Sequence, residues 1–371
     1  MIPSGLSQMT TRWFTDVLRS ARAISSSAVT GIHFEPVGVG IGIMGALTRA
    51  TLSYDNVEPD APPAVMVKVT SPYEANRAQG VVLGFYEAEV RFYNELSTRT
   101  SMRVPRCYLA EFDPATSDFV IVMQDLGGCV AADPVDGMSV GQAEVAASAL
   151  ADLHGGFWKR VDDIDWVASV VDERVKALSG TWPDLWTSFS ARFADCLPDG
   201  AVAAGEQIRD SYWTLMCMLG DSPWTLLHQD FRCDNLFFDH APDNPSNDTS
   251  NDTSNDASVV VIDWQSIGRG PGAYDLAALL GGCLPINDRR EHEERIVRDY
   301  HARIVDQGVR DYAFDDLWRD YRLAHMASTA VPVHTGGTMA VASERGRQLI
   351  GTLAERHFTA VLDLHATDLI C

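Results

Sequence analysis

The chain has 371 residues, 46% of them hydrophobic, and its 51 acidic against 29 basic side chains give a net charge of −22 at pH 7. That length exceeds what one hydrophobic core usually serves and predicts two lobes. The acidic balance repels nucleic-acid backbones and anionic membranes, so neither is an expected partner. It serves solubility first and remains compatible with cationic small molecules.

No apolar run approaches the roughly 18 to 20 residues of a membrane helix, and VGVGIGIMGAL at 37–47 is short and laced with glycine. The N-terminal stretch carries no signal-peptide core. Its Trp13, Phe14, Val17, Leu18 and Ala21 fall at helical spacing and predict a packing helix. Seven scattered cysteines without a CxxC argue against a disulfide scaffold or a zinc site, and reduced thiols point to a cytoplasmic setting. Nothing in the sequence speaks to oligomeric state.

From Gly31 to Val69 the pattern is strand, glycine-rich turn, strand, the polar loop YDNVEPDAPP and a further strand, AVMVKV. A helix is expected over about 80–97, then a hairpin of VPRCYLAEF and FVIVMQDL joined by DPATSD. Helical periodicity dominates after Ser139, at VGQAEVAASALADLHGGFW and then over 166–196, 203–219, 289–307 and 343–364. One clear strand pair, NLFFD with SVVVIDW, interrupts it. The expected domains are a mostly β lobe over 1–126 and a mostly helical lobe over 127–371. The Asn/Asp/Ser/Thr tract over 240–257 has almost nothing to bury and is expected to be a disordered hairpin tip.

Within LLHQDFRCDNLFFD, His228, Asp230 and Asn235 form H-x-D-x-x-x-x-N between two apolar runs. In protein-kinase-type phosphoryl transfer the Asp of such a loop orients the acceptor hydroxyl and takes its proton, and the Asn holds a metal ion. Alone, this short pattern is weak, and a solvated Asx-turn explains it equally well. Asp263, at the exit of VVVID, supplies a second oxygen ligand suited to Mg²⁺, against a bland reading as a turn-opening Asp. Lys68 interrupts an apolar strand and needs a counter-charge, unless it only guards a sheet edge. On the following helix Glu89 shares the face of Phe85, Phe92 and Leu96, whereas Glu87 points to solvent with Arg91, so Lys68 is paired with Glu89. Gly38, Gly40, Gly42 and Gly45 lie between two expected strands, where glycines let backbone N–H groups approach phosphate oxygens. The turn leads into a strand rather than a helix, which disfavours a Rossmann unit. These signals occur in the order a kinase-like nucleotide site requires.

HQDFRCDNLFF, and IDWQ followed by GPGAYDLA, resemble the aminoglycoside phosphotransferase and choline-kinase-like superfamily. Trp264, Gln265 and EVRFY resemble its ecdysteroid kinase-like branch, and the likeness spans about 36–285. The resemblance implies an α+β, bilobal, protein-kinase-like fold: a small antiparallel β lobe with one main helix, and a larger helical lobe. It implies ATP and Mg²⁺ as cofactors, a hydroxylated small molecule as acceptor, and Asp230 as catalytic base. Asn235 and Asp263 would bind the metal, Lys68 with Glu89 the phosphates under Gly38, Gly40 and Gly42, and Met123, Gln124 and Leu126 would hold adenine through backbone groups. Gln229 departs from the usual glycine, the hairpin insertion is long, and the glycine loop is unusually rich in Gly. Gln229 also stands where many protein kinases carry arginine, and the segment from Asp263 to Asp275 is short for an activation loop, so constitutive action on small molecules is expected. Inactive nucleotide-binding scaffolds and protein kinases are the alternatives. His154 and Asp275 are expected to tie the catalytic loop by hydrogen bonds, and Trp166, Trp182, Trp186, Trp213 and Trp224 to serve core packing more than an acceptor pocket.

Overall fold

A computed structural model describes residues 2–3, 5–37, 45–239, 258–338 and 344–370. Gly38, Gly40 and Gly42, and the tract over 240–257, therefore lie outside the described residues. The chain divides into two compact units, residues 1–128 with 261–266, and residues 129–260 with 267–371. The short segment 261–266 thus belongs with unit 1, although the sequence assigns it to the second lobe.

Unit 1 is built on a five-stranded sheet in the order β1-β2-β3-β5-β4. Its strands are β1 (Val29–Val37), β2 (Gly45–Tyr54), β3 (Ala64–Thr70), β4 (Cys107–Asp113) and β5 (Asp118–Gln124), and every neighbouring pair is antiparallel. Period-two alternation separates the two faces. Ala50, Leu52, Val65, Val67, Val120 and Val122 form a core with Phe14, Val17 and Leu18 of α1 (Thr11–Ser20), whose first turn is capped by Thr10. The opposite face receives a second helical layer. There the helix expected over about 80–97 is divided: α2 (Glu74–Leu83) stops at Gly84, whose φ of 72° suits glycine, and α3 (Phe85–Arg91) continues into a π-helical turn over Phe92–Leu96. Tyr86 stacks on Phe119 of β5 with ring centroids 4.6 Å apart, which fixes α3 against the sheet.

Unit 2 is mostly helical. It contains α4 (Val140–Phe157), α5 (Glu173–Ser179), α6 (Trp182–Phe193), α7 (Ala201–Gly220), α8 (Ala273–Cys283), α9 (Ile286–Asp306), α10 (Phe314–Ser328), α11 (Ala330–Thr338) and α12 (Glu344–Asp363). A reciprocal Ser139–Gln142 capping box starts α4. Helix α8 is buried along almost its whole length and packs against α4, α10 and α12. The helical stretch expected over 166–196 is instead a two-residue strand, β7 (Ala168–Ser169), followed by α5 and α6. More strands occur than the one pair expected: β6 (Val130–Ala131), β8 (Thr225–Leu227), β9 (Leu236–Phe238), β10 (Val259–Val261) and β11 (Gly268–Gly270) join in the sheets β10-β9-β6 and β7-β11-β8. Such strands are too short to show alternation in sequence. Among the described residues no helix is long and apolar enough to cross a membrane, and no disulfide joins the six described cysteines.

Candidate active site

The candidate residues of unit 1 come from three elements. Lys68, on central strand β3 opposite Leu47 and Ile121, alternates with the core-facing Val65 and Val67 and so turns toward α3. Its Nζ lies 2.7 Å from Glu89 Oε2 and 2.6 Å from Asp263 Oδ1. Glu89 is 1% exposed, Lys68 13% and Asp263 21%, so one cation is buried between two carboxylates. Glu87 instead sits on the exposed side with Arg91, 3.9 Å away. At the start of β2 a Cβ on Gly45 would stand 3.2 Å from the Val69 carbonyl and 3.4 Å from Lys68 Cε, so glycine there leaves room for the lysine stem.

Asp263 is held from behind. Val261 N–H donates to Arg103 O at 2.9 Å, and the fully buried Trp264 stacks on Phe92 with centroids 3.9 Å apart and planes 5° off parallel. Asp263 itself takes φ 63°, left-handed backbone that Asp tolerates better than most residues. Burial pushes the Glu89 carboxyl up to about 7, with Lys68 pulling it down and Asp263 pushing it further up. Burial opposes the charge on Lys68, but Asp263 and Glu89 more than offset it and hold its pKa above the ordinary lysine value.

Of the hinge candidates, Met123 is buried with its Sδ accepting from Tyr93 Oη at 3.8 Å, and Leu126 is half-buried. The Gln124 N–H already donates to Arg106 O at 2.8 Å, so a base held at this segment must use other backbone groups. Asp125 between them pairs with Arg49 at 2.7 Å.

In unit 2 the loop between β8 and β9 carries His228, Asp230 and Asn235. Asp275, fully buried in the first turn of α8, accepts the backbone N–H groups of His228 at 2.7 Å and Gln229 at 2.8 Å, one on each carboxylate oxygen. His154 of α4 lies 3.4 Å from Asp275 Oδ2 through Nε2 and 2.7 Å from Tyr300 Oη through Nδ1. His154 and Asp275 thus tie the loop to three helices. His228 Nδ1 accepts the Asp230 N–H at 3.2 Å, which tightens the loop from within. Asn235 Nδ2 donates to Asp230 O at 2.9 Å and to Asp230 Oδ2 at 3.2 Å, which commits its amide nitrogen and leaves its carbonyl oxygen for another partner.

Gln229, which stands in place of the usual glycine, has φ 63°, a conformation that costs a non-glycine residue on the order of 1–2 kcal/mol. Its side chain lies over Gly268 of β11, where an added Cβ would come within 2.2 Å of Gln229 Nε2.

Two contacts were not anticipated from sequence. Lys68 meets Asp263 across a separation of 195 residues, which no local pattern encodes. Arg232 Nε lies 3.0 Å from Asp230 Oδ1 and 3.4 Å from Asp234 Oδ1; the only sequence signal was a cation flanked at two positions by acids. Trp182 and Trp186 are buried in the core against Tyr212 and Phe358, while Trp213 and Trp224 lie beneath Lys176 and Arg269. Among the described residues no group of three or more His, Cys, Asp or Glu side chains is arranged to hold a metal ion.

The model of the ecdysteroid kinase-like family matches residues 40–310. A candidate aminoglycoside phosphotransferase of Ralstonia eutropha JMP134 superposes over 96% of this chain and 98% of its own, with a TM-score of 0.50 and 14% identity. Choline kinase LicA of Streptococcus pneumoniae covers 95% of this chain and 97% of its own at a TM-score of 0.45 and 13% identity. A curated relative, the uncharacterized oxidoreductase dhs-27 of Caenorhabditis elegans, is 24% identical over 354 residues, 87% of this chain. This chain spans 41% of the length of that relative. The fold is α+β, bilobal and protein-kinase-like, with an antiparallel five-stranded sheet in one unit and helices in the other. By the match over 40–310, the chain belongs to the ecdysteroid kinase-like family.

Proposed function

We propose that this protein transfers the γ-phosphoryl group of ATP to a hydroxyl of a small organic molecule. The observation that carries the reading is Lys68, buried between Glu89 and Asp263. Burying three charges costs more than an apolar cluster of the same volume, so the arrangement is poorly explained by stability. A preset ammonium is what the phosphates of a nucleotide need, and family membership supports the same reading.

The donor chemistry fits a hard cation that arrives with phosphate oxygens: Asp263 offers carboxylate oxygens in unit 1, and Asn235 offers its carbonyl oxygen in unit 2. Mg²⁺ arriving with the nucleotide would neutralise charge on its phosphates. The remaining roles belong to the protein. Asp230 orients the acceptor hydroxyl and takes its proton as the oxygen bonds to the γ-phosphorus and the bond from that phosphorus to the bridging β–γ oxygen breaks, releasing ADP. Lys68 exchanges part of its carboxylate contact for phosphate oxygens, and Glu89 keeps it aimed. Met123, Gln124 and Leu126 frame the adenine, and Gly38, Gly40 and Gly42 cover the phosphates. Cationic acceptors suit a chain of net charge −22.

The test is a panel of hydroxylated compounds (aminoglycosides, choline-like amines, sterols, macrolides, hydroxyacyl thioesters) incubated with ATP and Mg²⁺ and read by mass for the gain of one phosphate. The expected result is one acceptor class phosphorylated by the wild type, with Asp230→Asn slower by about 10²–10⁴-fold. If the wild type gives neither a phosphorylated acceptor nor Mg²⁺-dependent ATP turnover, the reading is wrong.

A further inference from the structure

Unit 2 contains five tyrosines, and the hydroxyls of four have a partner inside the protein. Tyr300 Oη lies 2.7 Å from His154 Nδ1, Tyr312 Oη donates to Asp320 Oδ2 at 2.6 Å, and Tyr321 Oη donates to Glu293 Oε2 at 3.2 Å. Tyr212 shares a hydrogen bond with Trp182, whose ring centroid lies 4.6 Å from its own. The fifth, Tyr274, is half-buried, and its Oη has no hydrogen-bond partner among the described residues. A phenol withdrawn from open water usually finds a partner, so this hydroxyl stands ready for a ligand.

Tyr274 stands in the first turn of α8, where its backbone N–H donates to Pro271 O at 3.0 Å. The next residue, Asp275, accepts the Gln229 N–H at 2.8 Å, and Asp230 follows Gln229 in the chain. Tyr274 and Asp230 therefore flank one hydrogen-bonded pair, inside a single unit. Burial, then the neighbouring Tyr212, Asp275 and Asp230, hold the Tyr274 phenol well above the ordinary tyrosine value. The phenol thus stays protonated and keeps a proton to donate across the physiological range, and the charge of Asp230 reaches it.

A donor beside the base serves the acceptor best away from the reacting atom. A hydrogen bond to the reacting oxygen would draw on the lone pair that must attack phosphorus, whereas one to a second oxygen orients the acceptor and leaves that lone pair intact. We propose that Tyr274 is an acceptor-binding residue, its Oη donating to an acceptor oxygen that neighbours the hydroxyl facing Asp230. The assignment rests on the reading of Asp230 as the base. It selects acceptors that carry a second hydroxyl, ether or carbonyl oxygen within a few bonds of the reacting one. Choline-like amines, with a single oxygen, are disfavoured.

The test compares the wild type with Tyr274→Phe, which removes one oxygen and keeps the ring. Both are assayed on the best-phosphorylated compound of the hydroxylated panel and on its deoxy analogue lacking the neighbouring oxygen. The wild type is expected to prefer the parent compound by about 3–10-fold in kcat/KM, and Tyr274→Phe to lose that preference through a raised KM for the parent. Thermal unfolding and ADP binding by calorimetry should not change. A structural role alone would move both compounds together, so equal effects on the two, or none on either, overturn the assignment. A wild type that phosphorylates only choline-like amines, or no compound of the panel, overturns it as well. Where the wild type phosphorylates an acceptor and Asp230→Asn does not, such a failure belongs to Tyr274 alone and leaves the proposed function standing. A wild type that also lacks Mg²⁺-dependent ATP turnover overturns both.

Discussion

The two half-sites are held by different forces. In unit 1, Lys68, Glu89 and Asp263 come from a strand, a helix and a distant segment and meet through charge, at 2.7 and 2.6 Å in surroundings nearly closed to water. In unit 2 the Asp230 loop is local in sequence and hangs from two backbone N–H groups that donate to Asp275. An ionic knot can trade partners when an anion arrives, because carboxylates and phosphates compete for one ammonium. A loop fixed through its amides keeps its path whatever its side chains do. Adjustable charge thus stands in the unit proposed to hold the nucleotide, and fixed backbone in the unit proposed to hold the acceptor.

Removing the cation breaks this contrast hardest. Lys68→Ala leaves two buried carboxylates facing one another and is expected to destabilise the protein by about 3–5 kcal/mol, read as a lowered urea midpoint. Loss of phosphate stabilisation should also cut activity by about 10²–10³-fold. Glu89→Gln in the same background should recover part of the stability and none of the activity; no recovery would mean that Lys68 is held by packing rather than charge.

Acid should separate the units. His357 and His325, packed around Gly281 of α8, are held neutral: burial, then Arg356 and Arg289, bring His357 down to about 4, and burial brings His325 well below its ordinary value. A folded pKa below the unfolded value near 6.5 means that the unfolded chain takes up protons first as pH falls. Stability present above pH 6.5 is lost between there and about 4, by about 3 kcal/mol for His357 alone. Glu89, pushed up to about 7, has the opposite sign: its contribution is fully present below about 4.5 and declines as pH rises toward 7. Amide exchange at pH 7 and pH 4.5, corrected for intrinsic rates, should show unit 2 losing protection before unit 1. Equal loss in both would remove the histidine argument.

Asp275→Asn should cost about 1–3 kcal/mol, since one of the two loop amides then faces an NH₂ group instead of an oxygen. The local signature is faster exchange at His228 and Gln229, with the Lys68 surroundings unchanged; a uniform change across both units would contradict the division of labour. The smallest effect is a gain. Gln229→Gly relieves the left-handed backbone at φ 63° and should stabilise by up to about 1 kcal/mol, less the added freedom of the unfolded chain. A clear loss of stability would show that packing of the Gln229 side chain over Gly268 outweighs the strain.

Legibility in sequence followed the range of the forces. A lysine inside an apolar strand and a glutamate in phase with Phe85 and Phe92 were readable because strand and helix periods are local. The loop around Asp230 was readable for the same reason, its apolar flanks becoming β8 and β9. The break at Gly84 was hidden, because the apolar pattern runs on across it and only the φ of one residue interrupts the helix. Helix α10 was missed despite a usable signal, Leu317, Tyr321 and Ala324 lying on one buried face, and α11, with Pro332 and two glycines in nine residues, was missed with it. The motif order placed Lys68 and Asp263 at one nucleotide site, but their direct ion pair lay beyond sequence, since it depends on a chain return that no period records.

That return also bears on how the protein is made. The chain enters unit 1, leaves it after residue 128, and supplies its last piece only at 261–266. During synthesis unit 1 therefore emerges with a Phe92 that lacks its stacking partner and a Lys68 that lacks one carboxylate until Asp263 and Trp264 have followed. Domains usually complete in order from the N-terminus. Here the earlier-born half must wait for the later one, and a nascent chain stalled before residue 261 is the species on which chaperones would be expected to act.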